Sequence, residues 1–334
     1  MKEVKVTASK PYSVLIGKGI MKDLTSLCED LIKGKKTAVI TDDTVNELYF
    51  DKLGLTDVPR FVFPHGEESK NMDTLAEILE FLAKNNFTRS DILIALGGGV
   101  VGDITGFAAG VYMRGINYIQ VPTTLLAMVD SSVGGKCAVD LKAGKNLAGV
   151  FHQPKRVICD VEALKTLPDE MYKAGMAEVV KYSVLANTNL DSDIEDLVRD
   201  CVQVKADIVN EDEFDNGTRQ LLNLGHTAAH GIEALSSYTV PHGYAVASGM
   251  GIIARASAKN GFCSSDTADR IIKTLENIGL PTSTDYSFED IASVAMRDKK
   301  AKGDKLTLVL VQDIGKCILH EINKKDFADF ISAE

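Results

Sequence analysis

Asp91-Ile-Leu-Ile-Ala-Leu96 runs straight into Gly97-Gly-Gly-Val-Val-Gly-Asp103. The apolar run has the texture of a strand covered on both faces, as in a parallel sheet. The small residues at 104–111 read as the helix that follows. Strand, glycine turn and helix in that order turn backbone N–H groups and a helix N-terminus toward a phosphate. Gly97, Gly99 and Gly102 satisfy G-x-G-x-x-G, yet the acidic residue expected about 20 positions later is absent. The acidic candidates, Asp42 and Glu67, come earlier, so the turn reads as a nucleotide site of another lineage. The plainer alternative is a tight turn with close helix packing.

Working outward, the first half is α/β. Residues 4–7 and 12–16 read as strands, 21–32 as a helix, and 37–41 as a strand ending at Asp42-Asp43. A carboxylate there can meet ribose hydroxyls. The alternative is a helix N-cap, which Asp43 or Thr44 could equally be. A strand over 60–64 leads to Glu67 and Lys70, then a helix over 72–84. Beyond the glycine turn, 116–121 is a strand. Pro122-Thr-Thr-Leu-Leu126 opens a helix, with the hydroxyls of Thr123 and Thr124 at its start. Asp130-Ser-Ser-Val-Gly-Gly-Lys136 and a polar loop with Lys142, Lys145 and Asn146 follow. Arg114, Lys136 and Lys145 could gather an anion there. Residues 156–159 close this half as a strand.

After Leu164-Lys-Thr-Leu-Pro168 the pattern becomes helical, over 169–186, 190–209, 218–235, 244–260, 265–278 and 288–297. Two strand-like pieces, 305–311 and 317–321, precede a helix near 325–331. A chain of 334 residues exceeds one ordinary core. The expectation is an α/β, Rossmann-like nucleotide-binding domain over 1–162 and a mostly α-helical metal and substrate domain over 163–334. The reaction is expected in the cleft between them.

Three of the six histidines, His226, His230 and His242, fall within seventeen positions. His226 and His230 are four apart and share one helix face. Arg219 and Asn223 sit on nearly the same face. Two or three histidines with a carboxylate describe a catalytic zinc site, and spacing alone favours His226 and His230 as co-ligands. Scattered surface histidines are the bland alternative. Glu178 and Lys181, three apart among small and apolar neighbours, suit a metal carboxylate and a substrate cation, or a simple helix ion pair.

The net charge of −10 argues against nucleic-acid binding. There is no apolar signal region and no run suited to a bilayer. Six dispersed cysteines without C-x-x-C fit free thiols in a reducing cytoplasm.

Taken together, these motifs resemble 3-dehydroquinate synthase, a sugar-phosphate cyclase, over nearly the whole chain. The resemblance is carried by Gly97–Asp103, Pro122–Leu126, Asp130–Lys136, Lys145-Asn146, Phe151-His-Gln-Pro154, Ala177-Glu-Val-Val-Lys181, Asn223-Leu-Gly-His-Thr227 with His230, and Asp298-Lys-Lys300, all in order. It implies Zn²⁺, with Co²⁺ as a substitute, on Glu178, His226 and His242, and makes His230 a proton carrier outside the metal ligands. It implies NAD⁺ on Asp42, Glu67, Lys70, Gly98, Gly99, Val100, Asp103, Thr123, Thr124 and Thr166, with Lys136 and Lys145 at the same edge. Substrate contacts fall to Asp130, Lys136, Asn146, Lys181, Lys205, Arg219, Asn223 and one lysine of the pair Lys299 and Lys300. Arg114 reaches the substrate phosphate from the neighbouring subunit of a homodimer. The implied phosphorus–oxygen lyase reaction turns 3-deoxy-D-arabino-heptulosonate 7-phosphate into 3-dehydroquinate and phosphate. Its steps are NAD-mediated oxidation, phosphate elimination, reduction and aldol closure, within the shikimate pathway. The chain departs from the family pattern at Thr44, where asparagine is expected, and at Tyr244, where glutamate is usual. Rival readings are another sugar-phosphate cyclase and a metal-dependent alcohol or glycerol dehydrogenase of related fold.

Overall fold

The structure, a computed structural model, describes residues 1–55, 57–295 and 304–332. It contains two compact units. One is Met1–Pro168 with Asp193–Phe214, the other Asp169–Ser192 with Asp215–Glu334. The boundary expected at 162/163 lies near the first crossing, but the chain crosses again at 192/193 and 214/215. The returning segment carries one amphipathic helix, whose buried Leu197, Val198, Cys201, Val202, Ala206 and Val209 pack on the first two strands. The local sequence shows that apolar stripe but not which core it joins.

The strands of the first unit are β1 Lys2–Val6, β2 Tyr12–Gly17, β3 Thr37–Asp42, β4 Arg60–Phe63, β5 Ile92–Gly97, β6 Asn117–Pro122, β7 Lys136–Leu141, β8 Gly144–Phe151 and β9 Arg156–Asp160. Seven form one sheet in the order β1-β2-β9-β6-β5-β3-β4. Every pair in it is parallel except β1 with β2. Every residue of β5 is buried, as its apolar run requires. From β3 the chain steps outward to β4, then returns to β5 on the other side of β3. That reversal is a topological switch point, where open α/β sheets bind ligands beyond the carboxyl ends of their strands.

The helices here are α1 Leu24–Leu27, α2 Glu29–Ile32, α3 Asp43–Tyr49, α4 Met72–Lys84 and α5 Gly99–Val111. The single helix expected over 21–32 is broken at buried Cys28, whose backbone leaves the helical region at φ −121° and ψ 17°. Helix α5 starts five residues before the expected position 104. Its glycines are inside the helix because neighbours leave no room for a side chain. A Cβ on Gly102 would lie 2.6 Å from Gln120 Oε1, and one on Gly110 2.6 Å from Val150 Cγ2. Gly110 faces the antiparallel hairpin β7–β8, which sequence reading leaves as a polar loop.

The second unit holds α6 Asp169–Ala186, α8 His226–Leu235, α9 His242–Lys259, α10 Ser265–Ile278, α11 Phe288–Ala295 and α12 Phe327–Ile331, with the hairpin β10 Lys305–Asp313 and β11 Lys316–Asn323. Helix α7, Ile194–Glu211, is the one that returns to the first unit. The continuous helix expected over 218–235 is split. A 3₁₀ turn, Thr218–Asn223, ends before Gly225, whose φ is +77°. A Cβ there would sit 2.8 Å from Met250 N and 2.9 Å from Val246 O, so only glycine lets the start of α8 touch α9. Likewise a Cβ on Gly243 would overlap Ala174 O, which seats the first turn of α9 on α6. Among the described residues, no helix is long and apolar enough to cross a membrane.

Candidate functional site

Those two close approaches bring three chemical groups together in the second unit. Glu178 projects from α6, His226 is the first residue of α8, and His242 is the first of α9. One ligand atom from each lies within 4.8 Å of the others. His226 Nε2 is 3.6 Å from Glu178 Oε1, and His242 Nε2 is 3.5 Å from the same oxygen. The other ring nitrogens face outward. His226 Nδ1 lies 3.1 Å from Leu224 O, and His242 Nδ1 lies 3.3 Å from Glu233 Oε1. With Nδ1–H donating in each ring, an unprotonated Nε2 turns its lone pair toward the space beside Glu178 where a cation would sit. A carboxylate with two imidazoles whose outer nitrogens are fixed is a donor set that fits Zn²⁺ or Co²⁺.

His230 stands beside this group, its ring edge-on to His226 at 6.0 Å between centroids. It is not one of the converging ligand residues among those described. The pairing of His226 with His230 that spacing favours is therefore corrected. The helix presents both rings on one side, but His226 meets groups from two other helices.

Glu178 is fully buried. Lys181, one turn along α6 and also buried, contacts its Oε2, and the Lys181 ammonium lies 5.1 Å from the Tyr182 ring. Desolvation, then the Lys181 charge, push His226 well below the usual histidine range, outweighing the pull of Glu178. Desolvation also pulls His242 down, but its hydrogen bonds to Glu178 and Glu233 outweigh that and hold it well above the usual range. Burial thus works against a proton on His226, while the carboxylates on either side of His242 favour one there. Arg219 is buried in the 3₁₀ turn, and Asn223 ends that turn in an exposed position. Sequence reading does not single out Glu233. Its spacing of seven from His226, one face of the same helix, is the signal that could have found it.

In the first unit, Asp42 ends β3 at the switch point, and its Oδ1 accepts a hydrogen bond from Val45 N at 2.8 Å. Asp42 itself caps α3, and Asp43 instead pairs with His65 at 2.7 Å. Burial raises the Asp42 carboxyl. Gly98 precedes α5, and Gly102 N is the first to reach back, to Gly98 O at 3.0 Å. The N–H groups of Gly99, Val100 and Val101 are thereby the unsatisfied donors of a helix start. A Cβ on Gly98 would lie 3.0 Å from Thr124 Cγ2, and Thr123 N donates to Gly97 O at 3.0 Å. The glycine turn and the threonine turn thus form one edge.

Beside that edge, buried Lys70 donates to Asp103 Oδ2 and Asn146 Oδ1, both at 2.7 Å. Glu67 lies 3.9 Å from Lys70 and 3.6 Å from Lys145. Thr166 Oγ1 contacts Tyr49 Oη. Lys205, on α7, donates to Asp130 O at 2.7 Å and contacts its carboxylate. Lys136 is exposed at the start of β7. Arg114 lies in a run of left-handed backbone, with φ of +49°, +66° and +118° at Met113, Arg114 and Gly115. Lys299 and Lys300 lie outside the described residues.

The N-terminal 3-dehydroquinate synthase family model matches residues 60–174, and the C-terminal model matches 175–301. The curated 3-dehydroquinate synthase of Clostridium acetobutylicum is 42% identical over 336 residues, covering 94% of each chain. That of Streptococcus suis is 41% identical over 344 residues, covering 96% of this chain and 97% of its own. A solved 2-deoxy-scyllo-inosose synthase, complexed with carbaglucose-6-phosphate, NAD⁺ and Co²⁺, aligns with a TM-score of 0.87 at 26% identity, covering 99% of both chains. Both halves of one family follow each other along the sequence, and relatives of that name align almost end to end. This chain belongs to the 3-dehydroquinate synthase family.

Proposed function

We propose that this chain converts 3-deoxy-D-arabino-heptulosonate 7-phosphate into 3-dehydroquinate and phosphate, as a cytoplasmic homodimer serving aromatic amino-acid biosynthesis. The observation that carries this reading is the convergence of Glu178, His226 and His242 in a chain of this family. When bound, a divalent cation and NAD⁺ supply a Lewis acid for a substrate hydroxyl and a hydride acceptor that is regenerated in each cycle.

Glu178, His226 and His242 hold the cation. Gly98, Gly99 and Val100 offer backbone N–H groups to the cofactor pyrophosphate at the α5 N-terminus. Asp42 takes a ribose hydroxyl, and with Glu67 it disfavours a 2′-phosphate, so the cofactor is NAD⁺ rather than NADP⁺. Lys70, Asp103, Thr123, Thr124, Lys145 and Thr166 line the rest of that site. Lys136, Asn146 and the partner subunit's Arg114 bind the phosphate, and their charge-assisted contacts stabilise it as it leaves. Lys205 with Asp130, Arg219, Asn223, Lys181 and Lys300 orient the carboxylate and hydroxyls, and His230 carries a proton. Incubation with the heptulosonate phosphate and a trace of NAD⁺ tests the reading. Phosphate and 3-dehydroquinate are expected in equal amounts without net NADH. Net NADH from a simple alcohol, with no phosphate released, overturns it.

A further inference from the structure

Glu233 is a buried carboxylate, 5% exposed, in the last turn of α8, which ends at Leu235. Two effects oppose an anion there. Desolvation penalises its charge, and the negative end of the helix dipole repels it. A carboxylate kept at such a place has a compensating partner, and its Oε1 lies 3.3 Å from His242 Nδ1. Glu178 faces the other nitrogen of the same ring at 3.5 Å. His226 differs, because its outer nitrogen meets the neutral carbonyl of Leu224 at 3.1 Å. The two imidazoles are therefore held in the same sense by unequal partners, one of them anionic.

We infer that Glu233 is a positioning residue of the metal centre, fixing His242 with Nε2 toward Glu178 and making that imidazole the stronger donor to a divalent cation. The inference rests on the proposed cation site at Glu178, His226 and His242. A carboxylate on the outer nitrogen fixes tautomer and ring orientation and raises ligand basicity. Glu233 does this from α8 for a ligand on α9, so a shift between these helices registers in the metal's coordination.

The test is a titration of metal-stripped protein with Zn²⁺ against a chromophoric chelator, followed by the visible absorption of the Co²⁺ form. Glu233→Gln is expected to weaken Zn²⁺ binding by about 10–100-fold and to shift the Co²⁺ bands. Glu233→Asp should give a smaller loss in the same direction, and it takes the place of Glu233→Gln if that variant does not fold. In a His242→Ala background, adding Glu233→Gln should change affinity little, since its route to the metal is gone. Wild-type affinity and spectrum in Glu233→Gln, or an equal loss in the His242→Ala background, overturns the inference. Wild-type protein that binds neither metal fails the cation site itself, a separate result.

Discussion

Lys70 Nζ and Asn146 Oδ1 are joined at 2.7 Å, tying the turn after β4 to the tip of the β7–β8 hairpin. The same ammonium meets Asp103, and Asp140, next to the hairpin tip, accepts from Asn146 N at 2.8 Å. Removing Lys70 leaves Asp103 without this cation. A fully buried pair broken that way costs about 3–5 kcal/mol, and the partial exposure of Asp103 lowers that to roughly 2–4 kcal/mol. Urea denaturation of Lys70→Met should show the loss, and Lys70→Met with Asp103→Leu should recover much of it. Recovery to no degree in the double variant would show that Lys70 stabilises by another route.

Gly225→Ala places a methyl against Met250 and Val246 at a left-handed backbone position. The conformation costs about 1–2 kcal/mol, and crowding adds about 1–3 kcal/mol. Thermal unfolding should fall accordingly, and Zn²⁺ affinity should drop because His226 is the next residue. A variant with unchanged melting and metal binding would mean the helices can part without cost.

Dialysis against a strong chelator should abolish turnover, with Zn²⁺ or Co²⁺ restoring it. Metal should also stabilise the folded chain, by about 2.7 kcal/mol at a free concentration 100 times Kd. Calorimetry with and without Zn²⁺ measures this, and full activity in stripped protein would remove the metal from the mechanism.

Lys136→Ala and Arg114→Ala should each keep metal and NAD⁺ binding while losing kcat/KM. Loss of one charge-assisted contact costs about 1.5–3 kcal/mol, or roughly ten- to 150-fold. If Arg114 serves the partner's site, a mixed dimer gathers both defects in one site and frees the other. Activity should then partly return on subunit exchange. Verified heterodimers without any recovery would confine Arg114 to its own subunit or to no site.

His152 is held neutral in the first unit. Its Nε2–H donates to Ile116 O at 2.8 Å and its ring stacks on Tyr118. Burial, reinforced by Lys10 and Lys155, lowers its pKa despite the opposing hydrogen bond. The unfolded chain therefore binds the proton more readily, near pH 6.5. Its stabilising effect is complete above that pH and is lost as pH falls toward the lower folded value. NMR titration should place His152 below the exposed His65, and His152→Gln should flatten the stability profile between about pH 5 and 7.

Much of the first unit is legible because its central strands are local apolar runs that stop at glycine, proline or aspartate. The start of α5 is not, since Gly99 and Gly102 look like turn residues until Ser131 and Gln120 are in place beside them. The β7–β8 hairpin escapes for a related reason. Only β7 alternates with buried positions and no residue of β8 is buried, and part of their support comes from α5 rather than from their own composition. At the metal centre, the closeness of His226 and His230 can be read from spacing. The convergence with Glu178 and His242 needs contacts among three helices, and here family resemblance supplies what local periodicity cannot. Glu233 is hidden because its spacing of seven from His226 marks a shared helix face but not its burial or its contact with His242.

Helix α7 belongs to the first unit although 24 residues of the second unit, 169–192, are made before it. During synthesis the strands β1 and β2, among the earliest to emerge, wait for their cover until residue 214 has been added. At about 5–20 residues per second, the 46 residues between 168 and 214 take roughly 2–9 s. Through that interval the nascent chain exposes the apolar surface that α7 later covers, which makes it a natural client for ribosome-associated chaperones. A stop placed after residue 168 would make that exposure permanent, so the nucleotide-binding half is not separable as one contiguous fragment.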